Sequence, residues 1–457
     1  MERLAAIKAH LAEPARKVPV LATCDVLVVG SGPAGLSAAI GAARAGADVI
    51  LMERYGCFGG VITTVGMETL GWYRFEGTDD THGVGREMER MAARMGGTTK
   101  WPYNDSECLD ADHFKLVADA LVRDNNIRPL LHCVCVDTVV RDNRVCGVIT
   151  ESKSGRMAVL ARRTVDCTGD ADVVFRGGGP CASLPVGDRM GCTTVFGAAG
   201  VDRDAFVEHV SQNPKTFGDW NDSPDPEWDQ QINDRDKELR SPFVRLIPDT
   251  DDEGHPLVGS WSTINAAGEA TNLNLAHLHG YDCTSVKDLT AAEMAGRERG
   301  RLAIELLRKR MPGFENAKLR TFSTTIGVRD TRKIVGVYSL QKGDVLGEAR
   351  FHDSVGVFPE FVDGYKILVL PTSGRYFQVP YRCLVPASGP DNVLAAGRCV
   401  AGDRVSHAAM RNMMACTVTG QAAGVAAAVS IAQGVTTRSV DPALVQRELA
   451  RQGVRLD

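Results

Sequence analysis

Gly30-Ser31-Gly32-Pro33-Ala34-Gly35 spaces three glycines as G-x-G-x-x-G, and an acid, Glu53, follows roughly 20 residues later. Each has a job in holding a dinucleotide. Gly30 makes a sharp turn, Gly32 lets the backbone approach a pyrophosphate, and Gly35 lets helix and strand pack closely. The helix that follows offers free N–H groups and a positive dipole end to phosphates. Glu53 suits ribose hydroxyls and would repel a 2′-phosphate.

The elements that must position these residues are legible. Asp25–Val29 is a short apolar run, as a parallel strand buried on both faces should be. Leu36–Ala45 reads as a helix stopped by Gly46, and Asp48–Met52 as a second strand. Strand, turn, helix, strand and acid in order make a strong dinucleotide signal. Residues 84–95, 112–125 and Thr290–Arg310 read as helices, and Thr271–His279 as a strand. The polar stretch Asn213–Glu253 reads as surface loops. Val165–Asp172 reads as a strand ending in Thr168-Gly169-Asp170. Far away, Asn392–Cys399 is followed by a helix-like stretch at Arg411–Ile431. Segments near both ends of the chain therefore build one site.

Composition narrows the partners. The chain has 457 residues and a formal net charge of −5, without a Lys/Arg-rich block, so nucleic acid is not expected. No run of about 18 apolar residues occurs, and Ala422–Ile431 reads as a buried helix, so no membrane is expected. Thirteen dispersed cysteines without C-x-x-C fit a reducing cytoplasm and argue against a metal or cluster. The first ten residues lack the apolar core of a signal peptide.

The chain resembles the FAD-dependent oxidoreductases of the FAD-oxidored family, distant relatives of glutathione reductase and of fumarate reductase-type flavoproteins. The resemblance rests on D-V-L-V-V-G-S-G-P-A-G-L-S-A-A-I, E-R-Y-G-C-F-G-G, V-D-C-T-G-D-A-D-V, R-D-T-R-K-I-V-G-V-Y, V-P-Y-R-C-L-V-P, N-V-L-A-A-G-R-C, S-H-A-A-M-R and G-Q-A-A-G. It implies an α/β fold: a Rossmann-type FAD-binding domain with a parallel sheet, residues 1–175 and 375–457, and an inserted α+β substrate domain, residues 176–374. Gly30, Gly32, Pro33, Ala34, Gly35, Glu53 and Arg54 would hold the ADP half of FAD. Gly59, Gly60 and Val61 would line the loop toward the flavin. Val134, between Cys133 and Cys135, would offer backbone to adenine. Thr168, Gly169 and Asp170 would cover the pyrophosphate side. Gly397 and Arg398 would sit by the ribityl chain, where many relatives in the wider superfamily have Gly-Asp; here Asp403 lies a few residues on. The helix starting near Asn412, with Met413 in its first turn, would aim its N-terminus at the flavin pyrimidine edge.

Around that flavin, several side chains could do chemistry. His407 could take or give the proton that accompanies hydride transfer, or only hydrogen-bond to flavin or backbone. Arg329 and Arg332 could grip an acidic substrate, or form a salt bridge with Asp330 or another acid. Arg411 and Tyr381-Arg382 share that ambiguity. His277 and His279 alternate along a strand and share a face, either an active-site wall or an exposed sheet face. Trp72 and Tyr73 could clamp a flat substrate or simply pack. Cys57 lies near the cofactor path without a nearby partner cysteine.

The expected activity is oxidation of a small organic molecule by hydride transfer to flavin N5, with an acceptor that the sequence does not name. An NAD(P)H-driven flavin reductase or monooxygenase is the rival within enzymes, although no second G-x-G-x-x-G follows a strand. A non-catalytic FAD-binding redox sensor is the rival of another class. A homo-oligomer, as a dimer, is the expected assembly.

Overall fold

The computed structural model describes residues 11–70, 81–100, 107–212, 229–230, 263–365, 367–369 and 374–457. Trp72, Tyr73 and, apart from Asp229–Gln230, the stretch Asn213–Glu253 lie outside them. The first strand is longer than its apolar run: β1 spans Val20–Val29, with Val26 to Val29 all buried. Helix α1 (Pro33–Arg44) starts earlier than Leu36 because Pro33 is well placed at its first turn, where its missing N–H leaves no bond unmade. Then come β2 (Val49–Met52), α2 (Ala111–Asp124), β3 (Arg128–Leu130), β4 (Val134–Arg141), β5 (Arg144–Ser152) and β6 (Gly155–Asp166). The order is β3-β2-β1-β6 in parallel, continued by the antiparallel β5 and β4. The large sheet is thus mixed but mostly parallel, as an α/β nucleotide fold requires.

A second sheet is antiparallel. It uses β7 (Cys192–Ala199), β8 (Thr263–Ile264), β9 (Glu269–Leu278) and, after helix α3 (Val286–Arg310), β10 (Lys318–Phe322). The order is β8-β9-β7-β10. Helix α3 starts before Thr290 because Ser285 caps it, accepting from the Asp288 amide at 3.4 Å. Gly296 and Gly300 bring it close to the sheet: a Cβ at either would lie 1.8 Å from Thr194 Oγ1 or 2.6 Å from the Phe322 ring. Phe196, Leu273, Leu275, Ile304 and Leu307 form this unit's own core.

The chain then returns. Strand β11 (Val393–Ala395) pairs in parallel with Thr164–Asp166 at the end of β6. Two helices follow: α4 (Arg404–Met410), which was not expected from the sequence, and α5 (Met413–Gln433), which matches the helix expected at Arg411–Ile431. Helix α5 is long and apolar enough to cross a membrane, but 89% of its most apolar window is buried. Gly420 and Gly424 press onto α1, where a Cβ would lie 2.1 Å from Ala34 O and 1.9 Å from Ala38 O. That contact packs the middle of α5 along α1, so the start of α5 projects about two turns beyond the start of α1. The division at residues 176 and 374 stays a proposal, since Ile334, Leu340, Val355 and Phe358 join the core of the large sheet.

Candidate active site

Gly30 turns the chain at φ +93°, and a Cβ there would lie 2.4 Å from Cys167 O. A Cβ on Gly35 would lie 1.8 Å from Gly30 O, so turn and helix touch backbone to backbone. Gly32 differs: a Cβ there would meet nothing nearer than Gly60 Cα at 4.0 Å. Gly60, at φ +52°, faces back, and a Cβ on it would lie 2.5 Å from Gly32 Cα. The two glycines line a notch open to a ligand's backbone approach. Pro33 and Ala34 are buried in the first turn beneath it.

Glu53 is buried at the rim. Its Oε2 accepts from Ser31 N at 2.8 Å and Ser31 Oγ at 2.7 Å, and its Oε1 accepts from Tyr55 N at 3.0 Å. A carboxylate can accept about four bonds, so one place remains for a ribose hydroxyl. Next to it, Cys133 N donates to Glu53 O at 2.9 Å, and Val134 leaves an apolar side chain exposed where a base could cover it. Arg54 is exposed and lies over the Tyr55 ring.

Helix starts discriminate further. Among the described α-helices, only α1 and α5 carry no side-chain acceptor on their first amides. Elsewhere the acceptor is Gln421 at Val84, Asp110 at His113, Asp166 at Val174, Asp202 at Ala205, Ser285 at Asp288, Asp403 at Lys342 and Ser406, or Asp441 at Ala443. The free amides of α1 and α5 are therefore anion sites left open. Glycine notch, buried acid and the two open helix starts are features that fit a dinucleotide such as FAD.

Between these helices runs a clamp. Arg398 Nη2 donates to Asp170 Oδ1 at 2.7 Å and Nη1 to Val328 O. Its guanidinium lies so close to Gly169 that a Cβ there would be 2.6 Å from Nη2. Asp170 also accepts from Thr331 Oγ1 at 2.6 Å. Arg332 donates to Asp170 O at 3.0 Å and pairs with Asp172, so its charge is spent in a salt bridge. Thr168 Oγ1 donates to Asp166 at 2.7 Å and accepts from Asp172 N at 3.0 Å. Gly397 N donates to Thr419 Oγ1 at 2.9 Å, holding its loop on α5. Asp403 is occupied as the cap of α4. The Thr168–Asp170 turn, the Gly397 loop and the segment 328–332 are thus one hydrogen-bonded unit.

His407 lies buried under this unit. Its Nε2 is 3.1 Å from Arg329 O and 3.6 Å from Asp330, and burial, then the Lys333 ammonium, push its pKa down to about 3. A neutral imidazole on a backbone carbonyl holds Arg329's segment better than it carries protons. Burial raises Asp330, but the Lys333 ammonium and the hydrogen bonds from Lys333 and Tyr365 outweigh that and lower its pKa on balance. Arg329 is half-buried, and Arg411 pairs with Asp363 at 3.1 Å. His277 Nε2 lies 3.1 Å from Asn274 O, and burial with Arg329 alongside lowers its pKa to about 3. His279 is exposed past the end of β9, and burial of part of its ring and Arg329 lower its pKa too. Tyr381 donates to Thr437 O at 2.6 Å and Arg382 pairs with Asp353 at 2.9 Å, both away from this cluster. Cys57 Sγ touches Thr63 Oγ1 at 3.7 Å. Val61 opens the single-turn π-helix Val61–Val65, whose Thr64 O accepts from Thr324 N at 2.7 Å and so joins the two sheets' territories.

Glu68 was not legible in the sequence, as a lone acid outside any motif. It accepts from Thr271 Oγ1 at 2.6 Å across the junction, and burial pushes its carboxyl up to about 7 despite that bond. A folded pKa above the ordinary 4.5 means that the folded state binds the extra proton. The resulting stability is complete below about 4.5 and is lost as pH rises through about 7. Glu68→Gln is expected to flatten that fall, which thermal unfolding from pH 4.5 to 7.5 would show; equal slopes would place the pKa elsewhere.

The model of the FAD dependent oxidoreductase family matches residues 25–449. A thiamine thiazole synthase of Sulfolobus acidocaldarius is 34% identical over 164 residues, 33% of this chain and 57% of that protein. The match thus spans little more than half of that relative's length. Among solved structures, a p-nitrophenol 4-monooxygenase of Pseudomonas putida DLL-E4 is 11% identical, with a TM-score of 0.48, covering 94% of this chain and 84% of that one. A geranylgeranyl bacteriochlorophyll reductase-like protein of Thermoplasma acidophilum is 13% identical, with a TM-score of 0.45 and the same coverage. With the family matched over nearly its whole length, the chain belongs to the FAD dependent oxidoreductases, an enzyme family whose cofactor is FAD.

Proposed function

We propose that this enzyme oxidises a small organic molecule held where the Arg329 segment meets the second sheet. The observation that carries the reading is the pair of uncapped helix starts, of α1 and α5, on helices packed along each other at Gly420 and Gly424. When bound, FAD supplies the hydride acceptor at N5. The amides of α5 favour negative charge at their end, which assists electron uptake there. The clamp of Asp170 and Arg398 would order the approach from the second sheet. His407 would position the Arg329 segment, whose carbonyl its ring contacts. The dispersed cysteines support a cytoplasmic setting.

The test is anaerobic reduction of the yellow holoenzyme by NADH, NADPH and a panel of alcohols, amines and acids. Bleaching by an organic substrate and not by nicotinamides is expected. Rapid bleaching by NADH or NADPH alone would move the enzyme to the reductases or monooxygenases.

A further inference from the structure

Arg329 carries a charge that the described residues do not neutralise. Its guanidinium makes two long bonds to neutral acceptors, Nη1 to Gly191 O at 3.3 Å and Nη2 to Asn274 Oδ1 at 3.4 Å. It is in none of the ion pairs among the described residues, whereas Arg332, Arg398, Arg382 and Lys333 each sit on a carboxylate. Arg329 is half-buried, so water solvates its charge only in part, and such a cation is normally met by an anionic partner. Arg411 adds to the imbalance: its Nη2 serves Asp363, but its buried Nε has no acceptor. Burial and the Arg411 charge depress Arg329 to about 10, and the Asp363 carboxylate, which is paired with Arg411, offsets this only in part. His277, beside them, stays neutral.

We infer that Arg329, with Asn274 beside it and Arg411 facing it, seats the carboxylate of the substrate, which is therefore a small organic acid. This rests on the proposed oxidation at the same junction. Two observations point to substrate rather than cofactor. Arg329 reaches Gly191 and Asn274, which belong to the second sheet and its approach, and not to the nucleotide fold. Its backbone is tied the other way, to His407 and, through Val328, to Arg398. The planar fork of Arg329 matches a carboxylate's two oxygens. With Asp363 already on Arg411, the two guanidiniums keep a single uncompensated positive charge, which matches a monoanion better than a phosphate dianion.

Calorimetric titration of the oxidised holoenzyme would test this, using acetate, propionate, benzoate and succinate against propionamide, benzamide and inorganic phosphate. Saturable binding of at least one carboxylate is expected, with its amide and phosphate far weaker. Arg329→Met should weaken that binding about 100-fold and Arg329→Lys about 10-fold, with FAD content unchanged. Arg411→Met should weaken it as well, and decides the matter if the Arg329→Met chain does not fold. Absence of carboxylate binding to a FAD-loaded enzyme, or equal binding by Arg329→Met, would overturn the inference. A wild-type protein that takes up no FAD would instead overturn the functional reading beneath it.

Discussion

Gly35→Ala is expected to yield a chain that retains no FAD and loses about 3 kcal/mol of stability or more. The added Cβ would lie 1.8 Å from Gly30 O and 2.8 Å from its carbonyl carbon. Both are backbone atoms, so no side chain can swing away. Gly30 cannot retreat, because a Cβ built on its other side already meets Cys167 O at 2.4 Å. The strand-to-helix turn must open, and with it the amides at the start of α1. Gly343→Ala is the control: nothing lies within 4 Å of its Cβ position, and alanine favours its short helix. Thermal unfolding and the flavin released per chain measure both variants. A Gly35→Ala protein with normal melting and full FAD would mean that the turn is not packed as described.

Glu53→Ala is expected to raise the FAD dissociation constant about 100-fold, and Glu53→Gln about 10-fold. Alanine removes the ribose acceptor and strands the Ser31 amide and hydroxyl, which now donate to Oε2 at 2.8 and 2.7 Å. Glutamine keeps one oxygen for Ser31 but turns the other position into a donor. Fluorescence titration of the apoprotein with FAD reads both. Unchanged affinity in Glu53→Ala would show that ribose is held elsewhere.

The nucleotide end was legible because its logic is local. The turn at Gly30, the first helix and Glu53 fall within one strand-helix-strand unit, and periodicity and glycine spacing reveal such units. That Asn392–Cys399 joins the nucleotide end was legible in the sequence, whereas its parallel pairing with the end of β6 is a tertiary contact that the structure adds. What depended on tertiary partners was not. Asp403 lay in reach of a ribityl role by sequence, yet it is consumed as a helix cap. Arg332 and Arg329 looked alike in R-D-T-R-K-I, but Asp172, distant in sequence, claims only Arg332. His407 has the right neighbours for proton transfer, and only its burial on Arg329 O and beside Lys333 reveals its low pKa. Glu68 carried no motif at all, and its shift comes from burial, which outweighs the opposing bond from Thr271. The uncapped starts of α1 and α5 became informative only once the caps of the other helices were known.

The claim that all this serves is that FAD lies across the open amides of α1 and α5. The most direct measurement is to denature the purified protein by heat, chromatograph the released flavin against FAD and FMN, and count it per chain. The account predicts a yellow protein that releases one FAD per chain. A colourless protein that takes up no flavin when incubated with FAD would contradict it.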